Sequence, residues 1–154
     1  MTFKTNLIPL LSICLFSVSS TSFAHEDEGN AQRAIEYRQS IMTLFGWNMK
    51  PMGAMMKDKM PYDQAAFARY AGDLQATAGL DLLAGFPPDS EGEDSDARPD
   101  IWFDFADFQQ KYKNLQTAAE NLKQTAKSGD KTNIKPAFEA LGKACKACHR
   151  AYKD

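Results

Sequence analysis

Apolar residues recur along this chain at alternating intervals of three and four, the spacing of one buried face on an α-helix. The clearest run is Ile101, Phe105, Phe108, Tyr112, Leu115, Ala119, Leu122 and Ala126. Pro99 and Asp100 open it and Ser128-Gly129-Asp130 close it, so one helix is predicted across the whole run. Ile134, Phe138, Leu141, Cys145, Cys148 and Tyr152 predict the last helix, with both cysteines on its buried seam. Thr132 or Asn133 is the expected N-cap, which would put Pro136 in the first turn, where its missing amide donor is tolerated. Earlier, Ile35, Met42, Phe45, Met49, Met52 and Met56 share a stripe and predict a long helix from Glu28 to Lys57, kinked at Pro51. Phe67, Tyr70, Leu74, Ala78 and Leu82 predict another, with Asp63 as its N-cap.

No strand alternation competes with these stripes. Four amphipathic helices joined by short links predict an all-α fold, an antiparallel up-down-up-down four-helix bundle. The one long irregular stretch, Gly85 to Arg98, holds Pro87-Pro88 and the acids Asp89, Glu91, Glu93, Asp94 and Asp96. It reads as a solvated crossover between the second and third helices.

Residues 1–24 read as a secretory signal peptide. Lys4 gives the positive start, Leu7 to Val18 the apolar stretch, and Ser22-Phe23-Ala24 the cleavage site. The stretch is too short to span a bilayer, and no other segment is apolar enough. Leu11-Ser12-Ile13-Cys14 makes a poor lipoprotein site, because Ile13 is bulky where a small residue is needed. Residues 25–154 then form one domain, expected in the periplasm. The chain carries a formal net charge of −2, and loss of Lys4 makes it more acidic. Such a surface argues against nucleic acid or an anionic membrane as partner, and suits a basic redox partner protein.

The chemistry concentrates in Cys145-Lys146-Ala147-Cys148-His149. C-x-x-C-H is the attachment pattern for haem c: two thiols bond the vinyl groups, and the histidine ligates the iron. Removal of the signal discards Cys14, so a disulfide or thiol redox pair is the competing reading. Cysteines three apart on a helix suit a disulfide poorly. A redox pair expects a helix N-terminus and a βαβ setting. Zinc lacks further ligands. One covalently bound haem c is therefore expected, held by Cys145 and Cys148, with His149 as axial iron ligand. With His25 at the start of the exported chain, a bis-histidine centre is disfavoured.

Four stretches carry a resemblance to the cytochrome c′ family: Tyr37-Arg38-Gln39-Ser40, Pro61-Tyr62-Asp63, Asp96-Ala97-Arg98-Pro99-Asp100-Ile101-Trp102, and Cys145 to Tyr152. The resemblance implies a four-helix bundle, often a homodimer. It implies a high-spin, five-coordinate iron with His149 on the proximal face and an apolar distal face. It also implies binding of nitric oxide and carbon monoxide, with electron transfer as a further duty; with no second interior histidine or distal Arg-His pair to suggest a peroxidase, no enzymatic role is expected. By the same resemblance Arg38 and Gln39 lie near the haem propionates, Met42 lies in the distal pocket, and Asp96 lies at the haem edge. Two positions stand apart. Lys153 falls where relatives commonly carry arginine, which keeps the charge but not the planar fork. Met42 matches a position at which a low-spin branch of the family binds the iron, so a His149/Met42 electron carrier is the alternative.

Overall fold

The computed structural model describes residues 22–154 apart from residue 93, with side chains described from Gly29 onward. Residues 1–21, the greater part of the predicted signal peptide and including Cys14, lie outside the described residues. The elements run α1 (Ser22–Met56), α2 (Gln64–Ala78), a 3₁₀ turn (Leu82–Gly85), α3 (Asp100–Phe103), α4 (Phe105–Ala126) and α5 (Lys131–Tyr152). Among the described residues there is no sheet, only an isolated antiparallel bridge between Ala97 and Lys153. The four long helices form the antiparallel bundle that the spacing predicts. α4 packs against both α2 and α5, and α1 packs against α2.

Local chemistry sets the helix ends. Asp63 caps α2 by accepting from the Ala66 amide at 2.9 Å, as expected from sequence. The other three starts differ from expectation, α1 beginning at Ser22 rather than Glu28. The long run from Ile101 is not one helix: the backbone breaks at Asp104 (φ −129°, ψ 58°), whose carboxylate caps α4 by accepting from the Asp107 amide. A regular apolar spacing cannot report such a break, because a side chain that caps leaves the period intact. α5 begins a residue or more earlier than the sequence suggests, capped by Asp130 rather than Thr132 or Asn133. Asp130 accepts from the Thr132 amide at 2.8 Å and from Asn133 Nδ2 at 2.9 Å. Pro136 therefore lies in the second turn, and the helix runs through it, as α1 runs through Pro51.

Two close approaches demand glycine. At Gly85 a Cβ would sit 2.9 Å from Arg38 Cβ and 3.1 Å from Tyr37 Cδ1, so the 3₁₀ turn lies directly on α1. Gly129, between α4 and α5, has φ +70° and abuts the Gln64 side chain. Tyr62 closes the same corner by donating to the Gly129 carbonyl at 3.1 Å.

The core runs the length of the bundle. Phe67, Leu74, Leu122, Ile134 and Leu141 are completely buried. The Phe67 ring lies 6.0 Å from Tyr62 and 6.2 Å from Phe138, tying α2 to α5. On α1 the buried seam is Ile35, Arg38, Ile41, Asn48, Met52 and Met55 with Met56. The predicted stripe runs beside it: Ile35, Met52 and Met56 are core, whereas Met42, Phe45 and Met49 line a cavity, and Ile41 and Met55 join the core next to them. We predict that Phe67→Ala destabilises the holoprotein by about 3–5 kcal/mol, read as a lower urea midpoint with the slope unchanged.

Candidate functional site

The end of the bundle distant from Gly129 holds a cavity of about 460 Å³, walled by α1, α4 and α5 and roofed by the segment after the 3₁₀ turn. Its lining is overwhelmingly apolar. α1 supplies Met42, Phe45, Gly46 and Met49, and α4 supplies Phe108, Tyr112 and Leu115. α5 supplies Cys145, Cys148, His149 and Tyr152. The 3–4 spacing on α5 explains the last set. Ile134 and Leu141 point into the core, so Cys145 and Cys148, further along the same stripe, point into the cavity.

Both cysteines are free and half-buried. Burial raises the pKa of each thiol, that of Cys148 to about 11. A disulfide-exchange cysteine needs the opposite shift, because the thiolate is the nucleophile. Burial therefore works against the thiol redox reading, and the two thiols share an apolar wall. The next residue, His149, turns toward the cavity mouth. Partial burial and then Lys153 lower its pKa, which favours the neutral, ligating imidazole.

Arg38 is the least expected feature. The family resemblance implies a place for it at the cofactor's edge, and its side chain is only 3% exposed. Nη1 donates to the Gly85 carbonyl at 2.8 Å and to Ser90 Oγ at 3.1 Å. Nη2 donates to the Ser90 carbonyl and to Ser95 Oγ, each at 2.8 Å. The guanidinium also lies 4.7 Å from the Phe86 ring centroid and 5.7 Å from that of Trp102. The Gly85 to Arg98 stretch is thus not simply solvated: Phe86 and Ser90 are buried beneath it, folded around this cation. Polar composition and paired prolines conceal that, because the residue that organises the stretch lies about fifty positions upstream in sequence. Gln39, beside it, donates to the Asp94 carbonyl at 2.7 Å.

At the opposite rim Lys153 pairs with Asp96 at 2.7 Å. Both residues line the cavity. The main chain pins the same region: the Arg98 amide donates to the Tyr152 carbonyl and the Asp154 amide to the Asp96 carbonyl, each at 3.0 Å. Beneath, the Tyr152 hydroxyl donates to Asp107 Oδ2 at 2.6 Å, and Lys111 donates to the same carboxylate group at 3.2 Å. Sequence reasoning missed Lys111 and Asp107, and it placed Tyr112 on the buried stripe of α4 without a part in the site.

The donor set fits a haem. The cavity is large enough for a flat macrocycle, and two thiols and an imidazole project from one wall. Arg38 is a buried cation whose hydrogen-bond partners are all neutral oxygens; among the described residues no carboxylate pairs with it. Buried charges are ordinarily paired, and the carboxylates of a haem would complement this one.

Fold and site together define a c-type haem protein on a four-helix scaffold, with haem c bound covalently through the cysteine pair. A profile of the family described as Cytochrome C′ matches residues 33–153, and the chain belongs to that family. It is 34% identical over 150 residues to cytochrome c-554 of Cereibacter sphaeroides, covering 96% of this chain and 97% of that one. Its fold matches cytochrome c prime from Shewanella frigidimarina with a TM-score of 0.77 and 42% identity, over 80% of this chain and 96% of that one. A variant of cytochrome c prime from Alcaligenes xylosoxidans, solved as its nitric oxide complex, matches with a TM-score of 0.74 and 37% identity, over 81% and 97% of the two chains. The family comprises electron-transfer and gas-binding haem proteins rather than enzymes.

The Asp107 network carries a pH dependence. The hydrogen bond from Tyr152, and then that from Lys111, hold the Asp107 carboxyl below its ordinary value. Tyr152 is raised, first by burial and then by this partner, consistent with a neutral phenol donating to a carboxylate. A depressed carboxyl stabilises the fold above its unfolded pKa of about 3.9, and that contribution drains away as pH falls below it. Asp107→Asn should lower the urea midpoint at pH 7 and flatten its decline between pH 5 and pH 3.

Proposed function

We propose that this chain is a periplasmic haem protein whose iron is held on one side by His149 and left open on the other to nitric oxide and carbon monoxide. Electron transfer is its second duty. The observation that carries this reading is the composition of the cavity: His149 and both cysteines on α5, and Met42, Phe45, Gly46 and Met49 on α1. Bound haem supplies an iron that changes oxidation state by one electron and accepts a diatomic ligand. The chain's own residues decide the rest. Cys145 and Cys148 fix the macrocycle against α5. His149 supplies one neutral nitrogen. From Met42 to Met49 the α1 wall offers no side-chain donor, so it gives no hydrogen bond to polar, oxygen-like ligands. Arg38, with Gln39 beside it, faces the acidic edge, and Asp96 with Lys153 closes the mouth. The solved nitric oxide complex of a relative supports the gas-binding reading. Residues 1–24 act as the export signal.

A specific observation keeps the second reading alive. The Met42 thioether lines the same cavity as His149, and thioether sulfur is a known haem ligand. In that case the iron is low-spin and the chain carries electrons only. Optical spectra of the ferrous holoprotein separate the two. The open site predicts a broad high-spin spectrum that shifts with carbon monoxide and survives Met42→Ala. A sharp low-spin spectrum, indifferent to the gas and converted to high-spin by Met42→Ala, would establish the alternative.

We also propose a homodimer through the outer face of α1. Tyr37, Leu44 and Trp47 lie there on neighbouring turns, with Trp47 74% exposed. A tryptophan so exposed beside a leucine marks a contact surface. Trp47→Glu should shift the sedimentation coefficient from dimer to monomer at micromolar protein while leaving the haem spectrum unchanged.

A further inference from the structure

The segment that roofs the cavity presents a second apolar surface, unlike the α1 face in its charge. Phe103, at the end of α3, is 88% exposed, the most exposed large apolar side chain among the described residues. The neighbouring Trp102 is half-buried and held in place: its indole Nε1 donates to the Pro87 carbonyl at 2.8 Å. Its ring lies 6.0 Å from Phe86, and Phe86 lines the cavity. Phe86 lies in turn 4.8 Å from Phe108, another lining residue, and Phe108 lies 5.4 Å from Tyr152 beside the haem-bearing helix. A continuous ladder of rings therefore leads from the surface beside Phe103 to the cavity wall.

The charge around this entrance is one-sided. Residues 89–104 contain Asp89, Glu91, Glu93, Asp94, Asp96, Asp100 and Asp104 against the single base Arg98. Arg98 is itself occupied by Asp100 at 3.0 Å and Asp154 at 3.7 Å. Asp89, Glu91 and Asp94 are exposed. A second copy of this chain would bring like charge against like, so this face does not suit self-association. An exposed aromatic anchor on a segment rich in exposed carboxylates complements a partner with a lysine-rich rim and an apolar centre.

We propose that Phe103 and the acidic segment around it form the docking surface for a basic electron-donor protein, with Trp102 and Phe86 between the docked donor and the haem cavity. The proposal rests on the haem reading above and adds the partner's chemistry. One electron leaves the reduced metal centre of the donor and converts ferric iron to ferrous; no proton or bond is exchanged. The carboxylates steer the encounter and Phe103 fixes the docked pose. Association should therefore slow steeply with salt, whereas dissociation should depend on the aromatic anchor.

The test uses the ¹⁵N-labelled ferrous holoprotein, its carbon monoxide spectrum recorded first, and mitochondrial cytochrome c as a basic, lysine-faced probe. Amide shifts on titration should cluster over residues 89–104. Phe103→Ala should weaken binding roughly tenfold. The triple variant Asp89→Asn, Glu91→Gln, Asp94→Asn should remove most of the salt dependence of the association rate. Neither variant should alter the carbon monoxide spectrum, which reads the iron site independently. Shifts clustered on another face, or unchanged affinity in both variants, would overturn the docking surface whatever the gas does. Loss of gas binding with docking intact would instead overturn only the open-iron reading.

Discussion

Everything at the open end of this bundle depends on one buried guanidinium. Arg38 leaves α1 and collects oxygens from Gly85, Ser90 and Ser95, so a chain segment with no regular structure acquires a fixed shape. Charge-assisted hydrogen bonds of this kind are stronger than neutral ones, and the geometry of a planar fork rules out lysine as a substitute. Burial lowers the Arg38 pKa from its ordinary value, a sign of what holding the cation there costs. Two aromatic faces and four acceptors offset that cost. Without the cation the roof would lose four tethers at once, and Phe86 would be left with only its ring contacts to Trp102 and Phe108.

The two ends of the bundle solve different problems with the same four helices. Toward Gly129 the helices close on Phe67, Leu122 and Ile134, and the Tyr62 and Gly129 corner seals them. Toward Tyr152 they stand apart around a cavity, and packing gives way to hydrogen bonds and ion pairs at its rim. Tyr112 marks the transition. Its hydroxyl donates to the carbonyls of Ala78 and Leu80, and burial pushes its pKa up to about 12. That contact ties α4 to the end of α2 just where the core gives out.

What could be read from sequence follows from the range of each interaction. The helices, and the orientation of Cys145 and Cys148, follow from a period of three and four, which is local and redundant. Caps are local too, but one residue decides each, so Asp104 and Asp130 escaped while Asp63 did not. The division of α1 between core and cavity wall escaped because Met42 and Met55 look alike until their neighbours are known. The Arg38 knot joins residues about fifty positions apart through backbone carbonyls, which every sequence possesses and no motif records. For Arg38 the resemblance to relatives indicated the place without the partners.

The bridge between Ala97 and Lys153 binds the roof to the helix that carries His149. Lys153 is also hydrogen-bonded through its amide to the His149 carbonyl at 3.0 Å, so both ends of this connection are short and stiff. A displacement of His149 along α5 would act through Lys153 on residues 96–98. Thermodynamic reciprocity then applies: if one binding event strains this link, the other must feel the same free energy. A gas molecule in the cavity and a protein on the surface would become ligands of a single two-site system, each altering the affinity of the other by an equal factor.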